Sequence, residues 1–212
     1  DLEESLLGDD QEEMIQLFAN TLSLIPKYIE QKQHLDEALV TRFVYVFSEI
    51  LMNDNMQLES TSIINNTSSR IKDICSNVFV SLFKKIPSQR EFILDELLSH
   101  VERLPQKRLQ KKLIRLENGT FITYFTLTIL RMLEGINYYD YIYSLFTVDN
   151  DIIDVLNYHK KVTEEQIEGY TDYIVNYILD RMFNHLAKYK HCLENFAQDL
   201  TNALLDVSYP IS

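Results

Sequence analysis

The chain has few of the residues that interrupt regular structure, with only four glycines and four prolines among its 212 residues. An all-β sandwich or barrel needs many turns, so this scarcity argues against one. The glycines also stand apart from one another in the sequence, whereas a phosphate-binding loop needs them clustered. The sequence therefore predicts a helical protein without a glycine-rich nucleotide loop.

Cysteine and histidine are scarce as well. Cys75 and Cys192 are far apart in the sequence, and each lies within a helical pattern of apolar residues. Reduced core thiols are therefore favoured over a disulfide or a metal pair. The five histidines are His34, His100, His159, His185 and His191. No two of them have the i, i+4 spacing of a helical zinc site. With no Gly-x-Ser-x-Gly sequence either, we expect no enzyme, no cofactor and no metal.

Long apolar runs are also missing. No stretch approaches the roughly 20 apolar residues that a membrane span needs, and no signal peptide is recognisable. The chain opens with Asp-Leu-Glu-Glu instead of a methionine. We therefore expect no membrane association, and we expect the sequence to be a piece of a longer protein.

Apolar residues at helical spacing dominate the sequence. The clearest stripe consists of Ile71, Ile74, Cys75, Val78, Phe79, Leu82, Phe83 and Ile86. Pro87 should end this helix, because a proline disfavours helical geometry in the residue before it. A second helix is predicted from Ser88, as its N-cap, to residue 104, and Pro105 closes it. With so short a connection, the two helices should form an antiparallel hairpin that buries Phe79, Phe83, Leu94 and Leu98.

The remaining elements follow from the same periodicity. Helices are predicted at residues 14–25, with a possible kink at Pro26, at 35–51, with Asp36 in the first turn, at 120–134 and at 193–204. Residues 53–69 are polar and predicted to be mainly loop. Residues 137–157 are interpreted as a helix, a break and a short helix over 151–158. Thr163 and Gln166 resemble a capping box at the start of a long helix, in which Tyr170, Tyr173 and Tyr177 should pack in the core.

Helices of this length, with short connections and no strict repeat in sequence, indicate an all-α, irregular HEAT-type solenoid of antiparallel helix pairs. Residues 1–212 should form one segment of a larger solenoid, with about four pairs at roughly 40–47 residues each. A compact helical bundle is the structural alternative.

Positive charge is concentrated in one place. Residues 103–116, here called the basic segment, contain six of the 20 basic residues and no acid, in a chain of net charge −12. Such segregation suits contact with phosphates or an acidic partner, and the candidate binding residues are Lys107, Arg108, Lys111, Lys112 and Arg115. A solvated loop balanced by neighbouring acids is the alternative. Interleaved leucines and Ile114 suggest that part of the segment is helical, and without an aromatic residue it should not stack on bases.

Two motifs point to a known family. Residues 90–105 read REFILDELLSHVERLP and lead into the basic segment, and residues 194–200 read ENFAQDL, with Tyr209-Pro210 beyond. Both resemble, in the same order, segments of the Nipped-B, or adherin, family of cohesin loaders, in a fungal-like form. Within the second motif, Phe196 and Leu200 should point inward, while Gln198 and Asp199 face outward or cap a neighbouring helix.

The resemblance implies a large, nuclear, chromosome-associated HEAT protein without catalytic residues. Such a protein binds DNA through its phosphate backbone and binds the cohesin complex, including its SMC heads and kleisin. It stimulates the cohesin ATPase and loads cohesin for sister-chromatid cohesion. A tetratricopeptide partner would bind a region outside this sequence. A generic HEAT or armadillo adaptor for protein–protein interaction is the alternative function.

Overall fold

The computed structural model describes residues 13–53, 62–104, 113–147, 152–184 and 190–204. Within these ranges the regular structure is α-helical, apart from two 3-10 turns and one short β-hairpin. The chain divides into two compact units, Asp1–Leu82 and Phe83–Ser212. The prediction of an all-α, HEAT-like fold is confirmed. The prediction that residues 1–212 act as one segment of a larger solenoid stays a prediction.

The first unit contains α1 (residues 13–22), α2 (Ile25–Gln31), α3 (Glu37–Met52) and most of α4 (Ser62–Lys85). The chain breaks at a turn over residues 23–24, and Pro26 lies in the first turn of α2. A proline is tolerated there because the first backbone N–H groups have no helical partner. Asp36 is the N-cap of α3, and its Oδ1 accepts hydrogen bonds from the backbone N–H groups of Ala38 and Leu39, at 2.8 and 3.2 Å.

Polar contacts connect α1 and α2 to α4 around the apolar core of this unit. Arg70 donates to Asn20 Oδ1 at 2.8 Å, and the Ser81 hydroxyl donates to Glu30 Oε1 at 3.2 Å. The fully buried side chains include Ile29, Val44, Phe47, Cys75, Val78 and Phe79. The sequence prediction of a loop over residues 53–69 is wrong from Ser62 onward. Asn, Ser and Thr are weak helix formers, but here they form the first turns of a helix whose later turns are strongly apolar.

The second unit begins with the last residues of α4. A 3-10 turn, Pro87–Gln89, follows, and then α5 (Arg90–Ser99) and a second 3-10 turn, Val101–Arg103. The break at Pro87 is confirmed, and Phe79, Phe83, Leu94 and Leu98 are all buried. The proposed N-cap Ser88 is wrong, because it lies inside the 3-10 turn and α5 starts at Arg90. Helix α5 is also shorter than predicted, because it ends at Ser99 and not at residue 104.

A β-hairpin and three helices complete this unit. They are β1 (Ile114–Arg115), β2 (Phe121–Ile122), α6 (Tyr124–Thr147), α7 (Ile152–Asn184) and α8 (Lys190–Leu204). The helix predicted from residue 120 therefore starts later, at Tyr124, after β2. The prediction that part of the basic segment is helical is wrong at Ile114, which lies in a strand. The helices α6 and α7 pack against each other across a four-residue connection, as expected of an antiparallel helical hairpin.

The capping box at Thr163 and Gln166 is a wrong prediction, because both residues lie inside α7. Residues 159–162 contain no proline or glycine, so nothing stops the helix before Thr163. The predicted break between the helices of 137–157 falls at 148–151, outside the described residues. Among the helices of the described ranges, none is long and apolar enough to span a membrane.

Of the α7 tyrosines predicted in the core, Tyr170 and Tyr177 are partly buried. Tyr170 packs edge-to-face on Phe83 with ring centroids 5.6 Å apart, and the Tyr177 hydroxyl donates to the Leu98 carbonyl at 2.9 Å. Tyr173 is exposed, so its predicted place in the core is wrong. Its hydroxyl donates to Asp95, and this hydrogen bond raises the pKa of Tyr173 to about 12. These contacts hold α7 against α4 and α5.

Candidate functional site

Residues 105–112 lie outside the described residues, and four of the five predicted binding residues lie within them: Lys107, Arg108, Lys111 and Lys112. The fifth, Arg115, lies in β1 and is exposed, paired in register with Phe121 of β2. The structure therefore places one predicted residue directly. It also defines both flanks of the segment that contains the others.

The flank that precedes residues 105–112 is anchored to α8. Val101 and Leu104 are buried. The Cys192 thiol of α8 donates to the Leu104 carbonyl at 3.1 Å and approaches the Glu102 carbonyl at 3.7 Å. Burial raises the pKa of the Cys192 thiol, with the Glu102 carboxylate adding to the shift. The thiol therefore stays protonated and acts as a donor instead of a nucleophile or metal ligand.

The following flank is the β-hairpin. Ile114 pairs with Ile122, and the intervening turn is closed by two backbone hydrogen bonds between Leu116 and the residues Gly119 and Thr120. Gly119 has φ +83°, a conformation that glycine adopts without steric cost. Asn118 Oδ1 accepts from the backbone N–H and the hydroxyl of Thr120, at 2.9 and 2.6 Å. These contacts hold the hairpin turn that follows Arg115 in one conformation.

The hairpin packs on the same helix α8. Leu116 and Ile122 form an apolar cluster with Leu127, Leu130 and Ala203. Ile114 and Leu200 pack against this cluster. The Asn118 side chain also donates to the Asn202 carbonyl at 3.2 Å. Both flanks of residues 105–112 are thus attached to α8, near its two ends.

A buried aspartate in α8 completes the attachment. Asp199 is fully buried, and its Oδ2 accepts from the Thr123 backbone N–H at 2.8 Å and from the Thr126 hydroxyl at 3.0 Å. These donors lie at the N-terminus of α6, where the helix dipole favours a negative charge. Phe196 is buried edge-to-face on Phe125, with centroids 5.2 Å apart. The expectation that Phe196 and Leu200 pack inward and that Asp199 caps a neighbour is confirmed.

The cysteines, histidines and acidic residues of the described ranges are spread over the fold instead of clustered. Among the described residues, no group of three or more His, Cys, Asp or Glu side chains could hold a metal ion. Cys75 and Cys192 are free, buried thiols, as predicted. Burial raises the pKa of Cys75 to about 12. Of the histidines, His34 and His191 are exposed and His100 is half-buried, hydrogen-bonded to Glu96 at 3.0 Å.

Two features of this site were not predicted from the sequence. The hairpin had a signal, because Asn118-Gly119 between short apolar runs is a strong indicator of a tight β-turn. No signal in the sequence indicated the hydrogen-bond partner of Asp199, because that partner, Thr123, lies 76 positions away. Helix α8, which contains the ENFAQDL motif, therefore contacts both flanks of residues 105–112.

The fold and this site define a class of protein: a helical scaffold of packed helix pairs, with a basic segment fastened at both ends to its last described helix. No protein-family model matches the chain. The chain is 36% identical over 196 residues to Sister chromatid cohesion protein 2 of Saccharomyces cerevisiae. That match covers 92% of the chain and 13% of the relative.

A second relative is Sister chromatid cohesion protein mis4 of Schizosaccharomyces pombe. It is 31% identical over 125 residues, which are 58% of the chain and 8% of the relative. The chain belongs to the Nipped-B, or adherin, family of cohesin loaders, which the two sequence motifs resemble. It spans only a small part of the length of these relatives.

Proposed function

We propose that this chain is a non-catalytic scaffold segment of a cohesin loader, and that it takes part in loading cohesin onto chromosomes for sister-chromatid cohesion. The similarity to two sister chromatid cohesion proteins supports this proposal. A scaffold role also fits the described residues, where the buried Asp199 caps a neighbouring helix. In this role the protein acts in the nucleus, on chromosomes.

The basic segment is the proposed contact surface. Lys107, Arg108, Lys111, Lys112 and Arg115 are proposed to bind DNA phosphates or an acidic protein surface. The observation that carries the proposal is that α8 fastens both flanks of residues 105–112, through Cys192 on one side and Asn202 on the other. Fixed flanks limit the space that the segment samples, so less conformational entropy is lost on binding.

The charge of the chain sets the character of this contact. Outside the basic segment the chain carries 14 basic and 32 acidic residues, a net charge of −18. DNA should therefore be repelled by most of the surface and attracted at this one place. Contact with the phosphate backbone positions a protein without reading the base sequence.

The proposed partners are the cohesin complex, through its SMC heads and kleisin, and duplex DNA. The proposed loader also stimulates the cohesin ATPase. The tetratricopeptide partner is proposed to bind a region outside residues 1–212. None of these roles requires a cofactor, a metal or a membrane.

The test uses the complete loader with the five basic residues replaced by Ala. DNA affinity is measured against salt concentration, together with cohesin ATPase stimulation. Each lost phosphate contact should reduce the slope of log K against log salt by about 0.9. The matched control replaces five exposed basic residues elsewhere: Lys27, Lys32, Arg42, Lys161 and Lys190. It changes the net charge equally, so the slope should change only in the first variant.

The two readouts separate the alternatives. Reduced affinity and slope in the first variant alone support DNA contact. Lost ATPase stimulation with unchanged DNA binding assigns the segment to an acidic protein surface. If neither changes, the basic segment is a solvated loop. A complete protein that neither binds cohesin nor stimulates its ATPase would favour the generic HEAT adaptor.

A further inference from the structure

The tip of the β-hairpin contains the one Asn-Gly pair of the sequence, Asn118-Gly119. Both residues are exposed, and Gly119 has no side chain that would keep its backbone nitrogen away from the Asn118 side chain. A backbone nitrogen that attacks the side-chain amide of the preceding asparagine forms a cyclic imide and releases ammonia. The pair therefore has the sequence and the exposure that spontaneous deamidation needs.

The turn also supplies donors to the oxygen on which negative charge develops during this attack. Asn118 Oδ1 accepts from the Thr120 backbone N–H at 2.9 Å and from the Thr120 hydroxyl at 2.6 Å. Two donors aimed at one carbonyl oxygen polarise it and stabilise a tetrahedral intermediate, as the donors of an oxyanion hole do. The same contacts restrict the rotation of the Asn118 side chain, so its amide is held in the turn.

One backbone hydrogen bond opposes the reaction. The Gly119 N–H donates to the Leu116 carbonyl at 3.0 Å and has to leave it before the nitrogen can attack. This bond lies at the exposed tip of a hairpin whose strands have two residues each, where local opening requires little free energy. By contrast, Asn176 is exposed in the middle of α7, where the following N–H belongs to Tyr177 and is part of a long helix. The hairpin tip is thus the more reactive of the two places.

We propose that Asn118 is a site of spontaneous modification in the folded protein, assisted by Thr120, and that its conversion to aspartate or isoaspartate releases the hairpin from α8. In the first step the Gly119 nitrogen forms a bond to Asn118 Cγ. The Cγ–Nδ2 bond breaks, and Nδ2 leaves as ammonia with the proton from the Gly119 nitrogen. Water then opens the imide, at Cγ to give aspartate or at the backbone carbonyl to give isoaspartate. Both products have a carboxylate in place of the amide.

The modification removes a contact between the hairpin and the end of α8. Asn118 Nδ2 donates to the Asn202 carbonyl at 3.2 Å. An ionised carboxylate only accepts hydrogen bonds, so two oxygen atoms would face each other there. The new negative charge also lies in the same hairpin as Arg115, which belongs to the proposed binding residues. Only this last effect, a weaker attraction for DNA, rests on the proposed function of the basic segment.

The first test follows the reaction in the complete polypeptide, folded and kept in warm, mildly alkaline buffer. Trypsin should release residues 116–131 as one peptide, which contains no glutamine and no asparagine except Asn118, so mass spectrometry measures the conversion directly. We expect Asn118 to convert roughly tenfold or more faster than Asn176, because its nucleophile is released by local opening of the turn. Equal rates at the two positions would overturn the proposal.

The assistance by Thr120 is tested in the same assay. Thr120→Val removes the hydroxyl donor to Asn118 Oδ1 and should slow the conversion roughly tenfold, because the developing oxyanion loses one of two donors. Thr120→Ser keeps a hydroxyl and should react at nearly the original rate. Circular dichroism establishes that both variants fold. An equal rate in Thr120→Val and the unmodified protein would contradict the assistance.

The consequence is tested with Asn118→Asp, which contains the product from the start, and with Asn176→Asp, which adds the same charge to α7. Amide hydrogen exchange of residues 113–122 should be faster in the first variant only, because the hairpin has lost its contact with Asn202. Unchanged exchange would contradict the release from α8. In the complete loader, DNA affinity should fall in Asn118→Asp alone. Faster exchange with unchanged DNA affinity would support the modification and count against the DNA role of the basic segment.

Discussion

The carboxylate of Asp199 in α8 accepts a hydrogen bond from the backbone N–H of Thr123, at 2.8 Å and across 76 positions of sequence. Through this contact a residue of the ENFAQDL motif caps the helix that follows the basic segment. Asp199 is buried, so its removal leaves the Thr123 N–H without its acceptor. The Thr126 hydroxyl loses one of two partners and keeps the Thr123 hydroxyl, at 2.9 Å. Hydrogen bonds to charged groups contribute about 1.5–3 kcal/mol each.

We therefore expect Asp199→Ala to reduce the free energy of unfolding by about 2–4 kcal/mol, the upper range for loss of a buried polar network. Gln198→Ala, at the neighbouring exposed position, should change it by less than about 0.5 kcal/mol. Thermal and denaturant unfolding followed by circular dichroism would measure both. Equal effects at the two positions would contradict the capping role.

The packing around Phe83 gives a second prediction. Phe83 is fully buried, with Tyr170 edge-to-face on its ring and the Arg90 guanidinium 5.4 Å from the ring centroid. Phe83→Ala should cost roughly 3–5 kcal/mol, because the lost contacts leave a cavity. Val46→Ala removes an apolar side chain that is exposed on α3 and should cost little. Comparison of the two unfolding midpoints tests the assignment of Phe83 to the core.

Two glycines should respond in opposite directions to the same substitution. Gly119 has φ +83°, so Gly119→Ala should destabilise the hairpin by about 1–2 kcal/mol. Gly169 lies inside α7 with open space where a Cβ would be added. Gly169→Ala should stabilise the chain by about 0.5–1 kcal/mol, because alanine is the better helix former. A loss of stability in both variants would show that Gly169 makes a close contact that the structure lacks.

The buried thiol of Cys75 should make stability dependent on alkaline pH. Burial raises its pKa from 9.0 in the unfolded chain to about 12 in the folded one. Between these values the unfolded state binds fewer protons, so the free energy of unfolding falls as the pH rises. The expected slope from this group is about 1.4 kcal/mol per pH unit. Cys75→Ala should show a shallower fall between pH 9 and 12 than the unmodified chain, measured by denaturant unfolding at each pH.

Thiol accessibility provides the control for this pH effect. Both cysteines are buried, and burial raises the pKa of each. A thiol-specific colorimetric reagent should therefore react slowly with the folded chain and fully after denaturation. Rapid reaction of Cys75 in the folded state would contradict both its burial and the expected alkaline slope.

Local signals in the sequence were sufficient where the structure depends on neighbouring residues. Pro87 ended α4 as predicted, and the apolar stripe around Phe79 was buried. Asp36 was expected in the first turn of its helix and is instead the N-cap of α3. Local signals misled where a helix continued through them. Thr163 and Gln166 have the spacing of a capping box, but a cap requires that no helix precede it, and α7 already runs through both residues.

The candidate site could be predicted only in part, for the same reason. The charge of the basic segment is visible in the sequence, whereas its attachment to α8 depends on contacts between distant residues. Cys192 was predicted as a core thiol, but its contact with the Leu104 carbonyl joins residues 88 positions apart in the sequence and was not predicted. Asp199 was expected to face outward or to cap a neighbour, and only the folded chain identifies that neighbour as α6.

A buried arginine provides the last prediction. Arg90 opens the REFILDELLSHVERLP motif and is almost fully buried at the start of α5. Its Nε donates to the Phe83 carbonyl at 2.8 Å, and its Nη1 donates to Gln166 Oε1 of α7 at 3.1 Å. Phe83 lies in the last turn of α4, where the carbonyl groups favour a nearby positive charge. One guanidinium group thus connects three helices.

Lysine cannot replace this arrangement, because its ammonium group lacks the planar fork that reaches two acceptors at fixed angles. Arg90→Lys should therefore reduce the free energy of unfolding by about 1.5–3 kcal/mol although the charge is kept. A double-mutant cycle with Gln166→Ala isolates the contact between α5 and α7, and a coupling energy of about 0.5–3 kcal/mol is expected. The exposed Arg42→Lys serves as the control and should have almost no effect. Additive effects of Arg90→Lys and Gln166→Ala would mean that the Arg90–Gln166 hydrogen bond does not stabilise the fold, and that Arg90 acts through Phe83 alone.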